Sequence, residues 1–457
     1  MEYKTKEQVI EQANKLVNKS LSDILIVDEL SAIKEKLINY GTKRKGYLGN
    51  LVEEFHFDIK PNNDSNPDFK DAEVELKCTP LKRHSVKKYV SKERLVFSMI
   101  NYDKIINEKW KTSSFLKKNK VLLILFYLFE KNVPIFDYKF KYSYLLNLLE
   151  GISNQDILQI QKDWEYIVNK INNGEAHLLS EADTYYLGAC TKAANKLILR
   201  DQPKSKESAK PRAFSLKQKY LNFIIQKYLL KKNISSESIF KSNDSIKTIE
   251  EVVVKKFKRY IGKTNIEIEK KLNLKIKRYS KNYTRYLINR IFGVKTNKIE
   301  ELEKADITMK VITLEYTGNL KESLSFPAFN YKNLVIQTWY NERRGEIADF
   351  HALLETQKFL FVVFQKAKNG KELVLKKIKF WNFPMSDLSE AERVWKATIN
   401  CVNQGNYEKL PKISDSHLAH VRPHAKNSQD TQETPQGTQE IKRSFWLNAK
   451  YVQKVLS

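Results

Sequence analysis

PDFKDAEVELK, residues 67–77, sets two carboxylates seven positions apart, Asp68 and Glu75, and follows them after Leu76 with Lys77. In an extended segment side chains alternate between faces, so Glu73, Glu75 and Lys77 are expected on one face and Val74 and Leu76 in the core. Acids and a lysine gathered on one patch can hold Mg²⁺ against a phosphodiester and set an ammonium beside the attacking water. The same pattern also fits a half-buried strand with a solvated charged face, in a chain carrying 81 Lys and Arg and 54 Asp and Glu. The rest of the chain has to discriminate between these readings.

At 457 residues the chain exceeds one ordinary core, and two or three domains are expected. Hydrophobic residues at 41% and aromatics at 11% suffice for packed cores, which excludes a disordered tail. A net charge of +27 asks for a polyanionic partner, nucleic acid first, although Lys, Asn and Ile are abundant throughout and part of the excess is compositional. The apolar run VLLILFYLF, 121–129, is too short for a bilayer and reads as a buried strand, so no transmembrane helix is expected. The opening MEYKTKEQVIEQANKLV is an amphipathic helix with both charges and no signal-peptide pattern, so the protein is expected to stay in the cytoplasm. Cys78, Cys190 and Cys401 are far apart and form neither a disulfide framework nor a zinc set; His417, His420 and His424 lack companions at ligand spacing.

The chain also repeats itself. AFSLKQKYLNFII at 213–225 matches SFWLNAKYVQKVL at 444–456, pairing Phe214 with Phe445, Leu216 with Leu447 and Tyr220 with Tyr451, each 231 positions apart. The same offset pairs Trp164 with Trp395 and Gly174 with Gly405, and an offset of 233 pairs Lys77 with Lys310. These landmarks describe two diverged copies of one domain. Residues 1–232 are expected to form the first and 251–457 the second, with the Ser/Asn-rich stretch 233–250 as linker. Each copy carries a polar loop before its last helix: DQPKSKESAKPR in the first, and KNSQDTQETPQGTQEIK, expected to be mobile until it meets a partner, in the second. Strands are expected at 72–78, 93–100 and 120–129 and a helix at 155–173, an α/β (mixed α+β) pattern with a central mixed sheet flanked by helices.

Upstream, KRKGYLGNLVEEF at 43–55 places Leu48, Leu51, Val52 and Phe55 on a helical stripe, with Glu53 and Glu54 following the glycines. From a helix packed on the sheet, Glu53 could face the patch of Glu75, or could be a solvated helix residue.

In order, KGYLGNLVE, the acid pair with ELK and TPL, DWE, YLGACTKAAN and PRAFSLK resemble the mismatch-repair nicking endonuclease family of MutH and the related type II restriction endonucleases that cut GATC. The similarity is greatest to the larger, duplicated restriction enzymes of the Sau-three-A type, and extends over residues 40–225 with the second copy looser. The resemblance implies two tandem MutH-like domains of restriction-endonuclease type. It implies Asp68 and Glu75 as Mg²⁺ ligands, Lys77 as the residue that orients or activates water, Glu53 as a further helix carboxylate, and Lys45 and Lys118 as residues reaching the site or the scissile phosphate. Asp71 competes with Asp68, but the seven-residue spacing fits the family better.

In the family pattern the bases are read by the loop that here is LGACTKAAN and by PRAFSLK, which points to Lys192 and Arg212 as DNA contacts. Lys192 fits a plain phosphate contact equally well. Two residues depart from the pattern: Cys190 stands at the family arginine and Ser215 at its aromatic. In the second copy HVRPHAKN and RSFWLNAKY keep the reading positions, pointing to Arg422, His424 and Arg443, yet ADITMK answers Glu75 with Thr308 while keeping Lys310, and the Glu53 position falls near Asn289. The expectation is therefore a Mg²⁺-dependent type II restriction endonuclease cutting double-stranded DNA at GATC, 5′ of the G, without membrane association. Its second copy is expected to have lost catalysis, to bind a second GATC and to stimulate the first, although an inert support fits the same residues. A single-copy, hemimethylation-directed nickase and a non-catalytic binder are the rivals. Dimerisation on DNA and a companion DNA methyltransferase in the cell accompany the restriction reading.

Overall fold

The computed structural model describes residues 2–457 apart from 41–45, 62–63, 86–87, 194–196, 242–243, 245–246, 276–279, 281 and 341–346, and apart from the side chains of 32, 34 and 36–40. Two compact units emerge. The first comprises 1–172, 185–190 and 213–235; the second comprises 173–184, 191–212 and 236–457.

In the first unit, strand Val121–Leu128 is buried at every position but Tyr127, as its unbroken apolar run requires. It lies parallel to Glu75–Ser85 and antiparallel to Phe140–Asn147, and Lys88–Ser91 completes a four-stranded mixed sheet beside Glu75–Ser85. Each of its buried Leu, Ile and Phe side chains contributes about 1.5–3 kcal/mol of burial. A second, three-stranded sheet joins Leu95–Met99, Arg212–Leu216 and Leu187–Thr191. The helix Asn154–Asn172 buries Ile160, Trp164, Ile167 and Ile171, a stripe at helical spacing.

The second unit repeats this plan. Ile307–Leu314 runs parallel to Lys358–Lys366, which runs antiparallel to Leu373–Asn382. Leu324–Ala328, Arg443–Leu447 and Ala419–Pro423 form the second sheet, and Leu388–Asn403 is the long helix. Both cores are built on the same four rings. Trp110 meets Trp164 at 5.7 Å and Phe115 meets Phe214 at 5.0 Å; in the second unit Trp339 meets Trp395 at 5.4 Å and Phe350 meets Phe445 at 4.1 Å. A phenol–carboxylate bond also recurs at the 231-residue offset: Tyr220 donates to Asp156 at 3.1 Å and Tyr451 to Asp387 at 2.6 Å. After each long helix a glycine takes the left-handed conformation that other residues avoid, Gly174 at φ 77° and Gly405 at φ 70°.

Three expectations about local structure need correction. The polar loop DQPKSKESAKPR is a β-hairpin, Arg200–Gln202 against Ser205–Ala209. The Gln/Thr-rich stretch of the second copy is likewise a hairpin, Thr431–Glu433 against Gln439–Ile441, closed by Thr434 and Thr438. In 233–250, Ile239 and Asp244 are buried and Glu237 bridges to Ile299, so the described residues from 236 onward pack as part of the second unit.

Candidate active site

Asp68 and Glu75 are brought together by a turn. Phe69 and Val74 form an antiparallel bridge, with Phe69 N–H donating to Val74 O at 2.9 Å and Val74 N–H returning to Phe69 O at 3.2 Å. Residues 70–73 close the turn, and Glu73 takes φ 55°. The seven-residue spacing is thus the span of a tight hairpin, which sets Asp68 across from Glu75. The two segments are laced through the acids themselves: Asp68 N–H donates to Glu75 Oε2 at 3.2 Å and Leu76 N–H donates to Asp68 Oδ2 at 2.9 Å. Glu73 therefore does not share the face of Glu75 and Lys77 as strand alternation suggested. It is exposed in the turn, as is Asp71, which leaves Asp68 as the acid beside Glu75.

A cavity of about 390 Å³ opens there, lined by Asn50, Glu53, Asp68, Glu75, Lys77, Ser98 and Lys118 together with Pro61 and Phe97. Glu53 arrives from the helix Tyr47–Phe55, which buries Leu48, Leu51 and Val52 and is entered through Gly46 at φ 92°, a conformation glycine adopts without strain. Glu75 is 2% exposed, and its Oε1 accepts from Lys77 Nζ at 2.5 Å, with Lys118 Nζ 3.8 Å away. Lys118 in turn donates to the Asp64 carbonyl at 2.6 Å, which fixes its ammonium at the cavity wall.

Burial pushes Glu53 up to about 7, helped by the charges of Asp68 and Glu75 and opposed by Lys77 and Lys118. Burial likewise pushes Glu75 up to about 7, opposed first by the Lys77 ammonium. Glu53 and Glu75 thus share a cavity in which burial outweighs the attraction of Lys77 and Lys118. Among the described residues, no three His, Cys, Asp or Glu side chains converge into a ready-made metal cage. A pair of acids beside an open cavity nevertheless suits Mg²⁺, which keeps most of its waters and takes one or two carboxylates plus a substrate phosphate.

Of the other expected residues, Lys45 lies outside those described. Lys192 is exposed, its backbone N–H on the Pro211 carbonyl at 2.8 Å. Arg212 is not a surface residue: it is 1% exposed, donates to the Leu179 carbonyl and lies 3.5 Å from Glu355. That burial removes it from direct DNA contact. Cys190 and Ser215 are buried too. In the second unit, the exposed Arg422 lays its guanidinium 4.3 Å over the ring of Trp446, the residue 231 positions on from Ser215. His424 Nδ1 is 2.9 Å from Ser444 Oγ, and Arg443 Nη2 is 3.8 Å from Glu440. Lys310 is half-buried near the Ser325 carbonyl at 3.4 Å; burial lowers its pKa, and no carboxylate pairs with it among the described residues. Asn289, near the Glu53 position, is buried and donates to Asn297.

Sequence reasoning missed three residues. Asn50 precedes Glu53 by one helical turn and was detectable from that spacing. Ser98 sits in a strand with no local signal. Asp163 of the DWE segment is buried in the helix Asn154–Asn172 and accepts the backbone N–H groups of Tyr185, Tyr186 and Leu187 at 3.0, 2.6 and 2.9 Å, anchoring the entry to strand Leu187–Thr191.

Residues 57–163 match the family of the DNA mismatch repair enzyme MutH, a span that holds Asp68, Glu75, Lys77 and Lys118. Over its whole length the chain is similar to the type II restriction enzyme Sau3AI of Staphylococcus aureus: 34% identity over 499 residues, covering 99% of this chain and 98% of the relative. The chain belongs to this family of type II restriction enzymes. Members of the family are site-specific deoxyribonucleases, and restriction endonucleases generally use divalent metal ions. Among the described residues, no helix is long and apolar enough to cross a membrane.

Proposed function

We propose that this enzyme hydrolyses double-stranded DNA at GATC, 5′ of the G, with Mg²⁺, and that its second copy binds a further GATC and stimulates cleavage by the first. The observation that carries the catalytic half is the cavity that gathers Asp68, Glu75 and Lys77. Asp68 and Glu75 would hold the ion, which when bound neutralises phosphate charge and lowers the pKa of its water. Lys77 keeps its ammonium 2.5 Å from Glu75 and so stands at the cavity face where an attacking water would be oriented. Lys118, tied to the Asp64 carbonyl, offers a fixed cation to a phosphate oxygen. Glu53, with its pKa near 7, can take up or release a proton inside the cavity at neutral pH.

The second half rests on what the second copy keeps and lacks. Thr308 replaces the acid of Glu75 and the Glu53 position falls near Asn289, which leaves Lys310 without a carboxylate partner among the described residues, while Arg422 and Trp446 stack at the reading segment. A guanidinium is the group that reads guanine edges bidentately. In the first copy Lys192 is the exposed cation of the corresponding segment. A companion methyltransferase would protect the cell's own GATC sites, and the enzyme could pair with a second copy of itself on DNA.

Plasmid containing GATC, incubated with and without Mg²⁺ and compared with Glu75→Ala, tests the reading. Mg²⁺-dependent linear DNA with ligatable four-base overhangs, absent from the variant, supports it. Nicked circles would favour a mismatch-repair nickase, and binding without cutting would leave only a DNA-binding protein.

A further inference from the structure

The segment proposed to read DNA in the first copy leaves one strand at Thr191 and enters the next at Arg212, and both ends meet the same carboxylate. Thr191 Oγ1 donates to Glu355 Oε1 at 2.9 Å, and Arg212 Nη1 lies 3.5 Å from that oxygen. Glu355 stands in the last turn of the helix Asp349–Thr356, which passes through Gln357 into Lys358–Lys366, the middle strand of the second copy's mixed sheet. Residues 191–212 accordingly pack in the second compact unit, although by sequence they fall inside the first copy. The junction is reinforced around the acid. Ser180 Oγ donates to the Glu355 carbonyl at 3.3 Å, Lys358 Nζ to the Asp183 carbonyl at 3.0 Å, and Asn382 Nδ2 to Asp183 Oδ1 at 2.9 Å. His351 Nε2 stands 4.0 Å from the other Glu355 oxygen.

We propose that Glu355 is a positioning residue for sequence discrimination. Its carboxylate clamps both stems of the segment that carries Lys192 and Arg200, so residues of the second copy set the geometry with which the first copy meets its bases. The chemistry of the clamp suits that task. Arg212 is buried, and a buried guanidinium without a carboxylate is strongly disfavoured, so Glu355 adds a charged side-chain tie to stems whose backbones already meet through Lys192 N–H and the Pro211 carbonyl. Base discrimination depends on donors and acceptors being placed to within a fraction of an ångström, whereas phosphate attraction does not. Loosening the stems therefore erodes discrimination before it erodes overall DNA affinity. The proposal rests on the reading that residues 191–212 face DNA.

The test uses the full-length enzyme with Mg²⁺. For wild type, Glu355→Gln, Glu355→Asp and Thr191→Val, kcat/KM is measured on a GATC duplex and on duplexes altered at one base pair, alongside the Mg²⁺ concentration dependence. Thr191→Val removes one neutral donor and creates no buried charge, which guards against a Glu355→Gln protein that fails to fold. The expected result is a fall of about tenfold or more in the cognate to altered-site ratio for Glu355→Gln, a smaller fall for Thr191→Val, partial recovery in Glu355→Asp, and an unchanged Mg²⁺ dependence. A folded Glu355→Gln or Thr191→Val with the wild-type ratio overturns the proposal. Lys192→Ala and Arg200→Ala separate the two layers. If both leave DNA binding and the ratio untouched, the DNA-facing reading falls and the clamp proposal with it; if they matter while the clamp variants are silent, only the clamp proposal falls.

Discussion

Replacing Glu75 by Gln should make the metal-free protein more stable while removing its activity. Burial lifts the Glu75 carboxyl from the ordinary 4.5 to about 7. At ~1.36 kcal/mol for each tenfold change, holding it ionised above pH 7 costs the folded state roughly 3 kcal/mol. Gln keeps the shape but only one accepting oxygen, so it can serve Lys77 or Asp68 N–H and not both, since Glu75 receives them on different oxygens; the lost bond costs about 1 kcal/mol. The net gain is roughly 2 kcal/mol. Because the folded-state value is the raised one, the penalty is absent below about 4.5, grows with pH and is complete above about 7. Removing the charge also relieves Glu53, which Glu75 helps to push up, and this acts in the same direction. Thermal unfolding of chelator-treated wild type and Glu75→Gln should therefore show a midpoint higher in the variant by roughly 4–8 °C at pH 8, shrinking toward zero at pH 4.5. Millimolar Mg²⁺ should raise the wild-type midpoint and leave that of the variant in place. A variant no more stable than wild type at pH 8, or one equally stabilised at both pH values, would refute the reasoning.

Lys77→Ala should lower cleavage about 10²–10³-fold while leaving DNA affinity within a few fold, read from single-turnover rates and gel shifts; a matching loss of affinity would make Lys77 a binding residue. Asp163→Ala should unpair three buried backbone N–H groups and destabilise the protein by at least about 3 kcal/mol in denaturant titration, more than Val394→Ala at the corresponding position of the second copy. Arg422→Ala and Trp446→Ala should each remove the advantage of two-site over one-site DNA in cleavage rate and leave the one-site rate unchanged; no two-site advantage in the wild type would sink the stimulatory role of the second copy.

What could be read from the sequence was whatever the core enforces. The run 121–128 is apolar because it is covered on both faces, the stripe Ile160, Trp164, Ile167 and Ile171 repeats at helical spacing, and the ring positions Trp164/Trp395 and Phe214/Phe445 reveal the duplication because both cores close on the same four aromatics. What escaped was local or tertiary. The hairpins at 200–209 and 431–441 pair through their backbones with polar side chains on both faces, so they carry no apolar alternation. Arg212 looked like a DNA contact because its environment, Leu179 and Glu355, is distant in sequence. Asp68 and Glu75 were rightly paired, but alternation was the wrong cause: the turn through Glu73 sets their spacing.

That turn also separates what the fold needs from what the chemistry needs. Glu73 at φ 55° is answered, 233 positions on, by Asp306 at φ 55°, and the strand that follows is parallel to its neighbour in both copies. The acid in the left-handed turn is therefore part of the frame, since it recurs where no catalytic acid does. Glu75 is the opposite case. It is desolvated, crowded by Asp68 and costly to ionise, and at its position the second copy carries Thr308 with the strand intact. A residue that the fold can dispense with, and that destabilises it near neutral pH, has its physical justification in what the folded cavity binds. On the proposed reading the asymmetry between the copies is one of ionisation cost: the first bears the buried Glu75 for phosphodiester chemistry, while the second keeps the sheet and the Arg422–Trp446 stack without it.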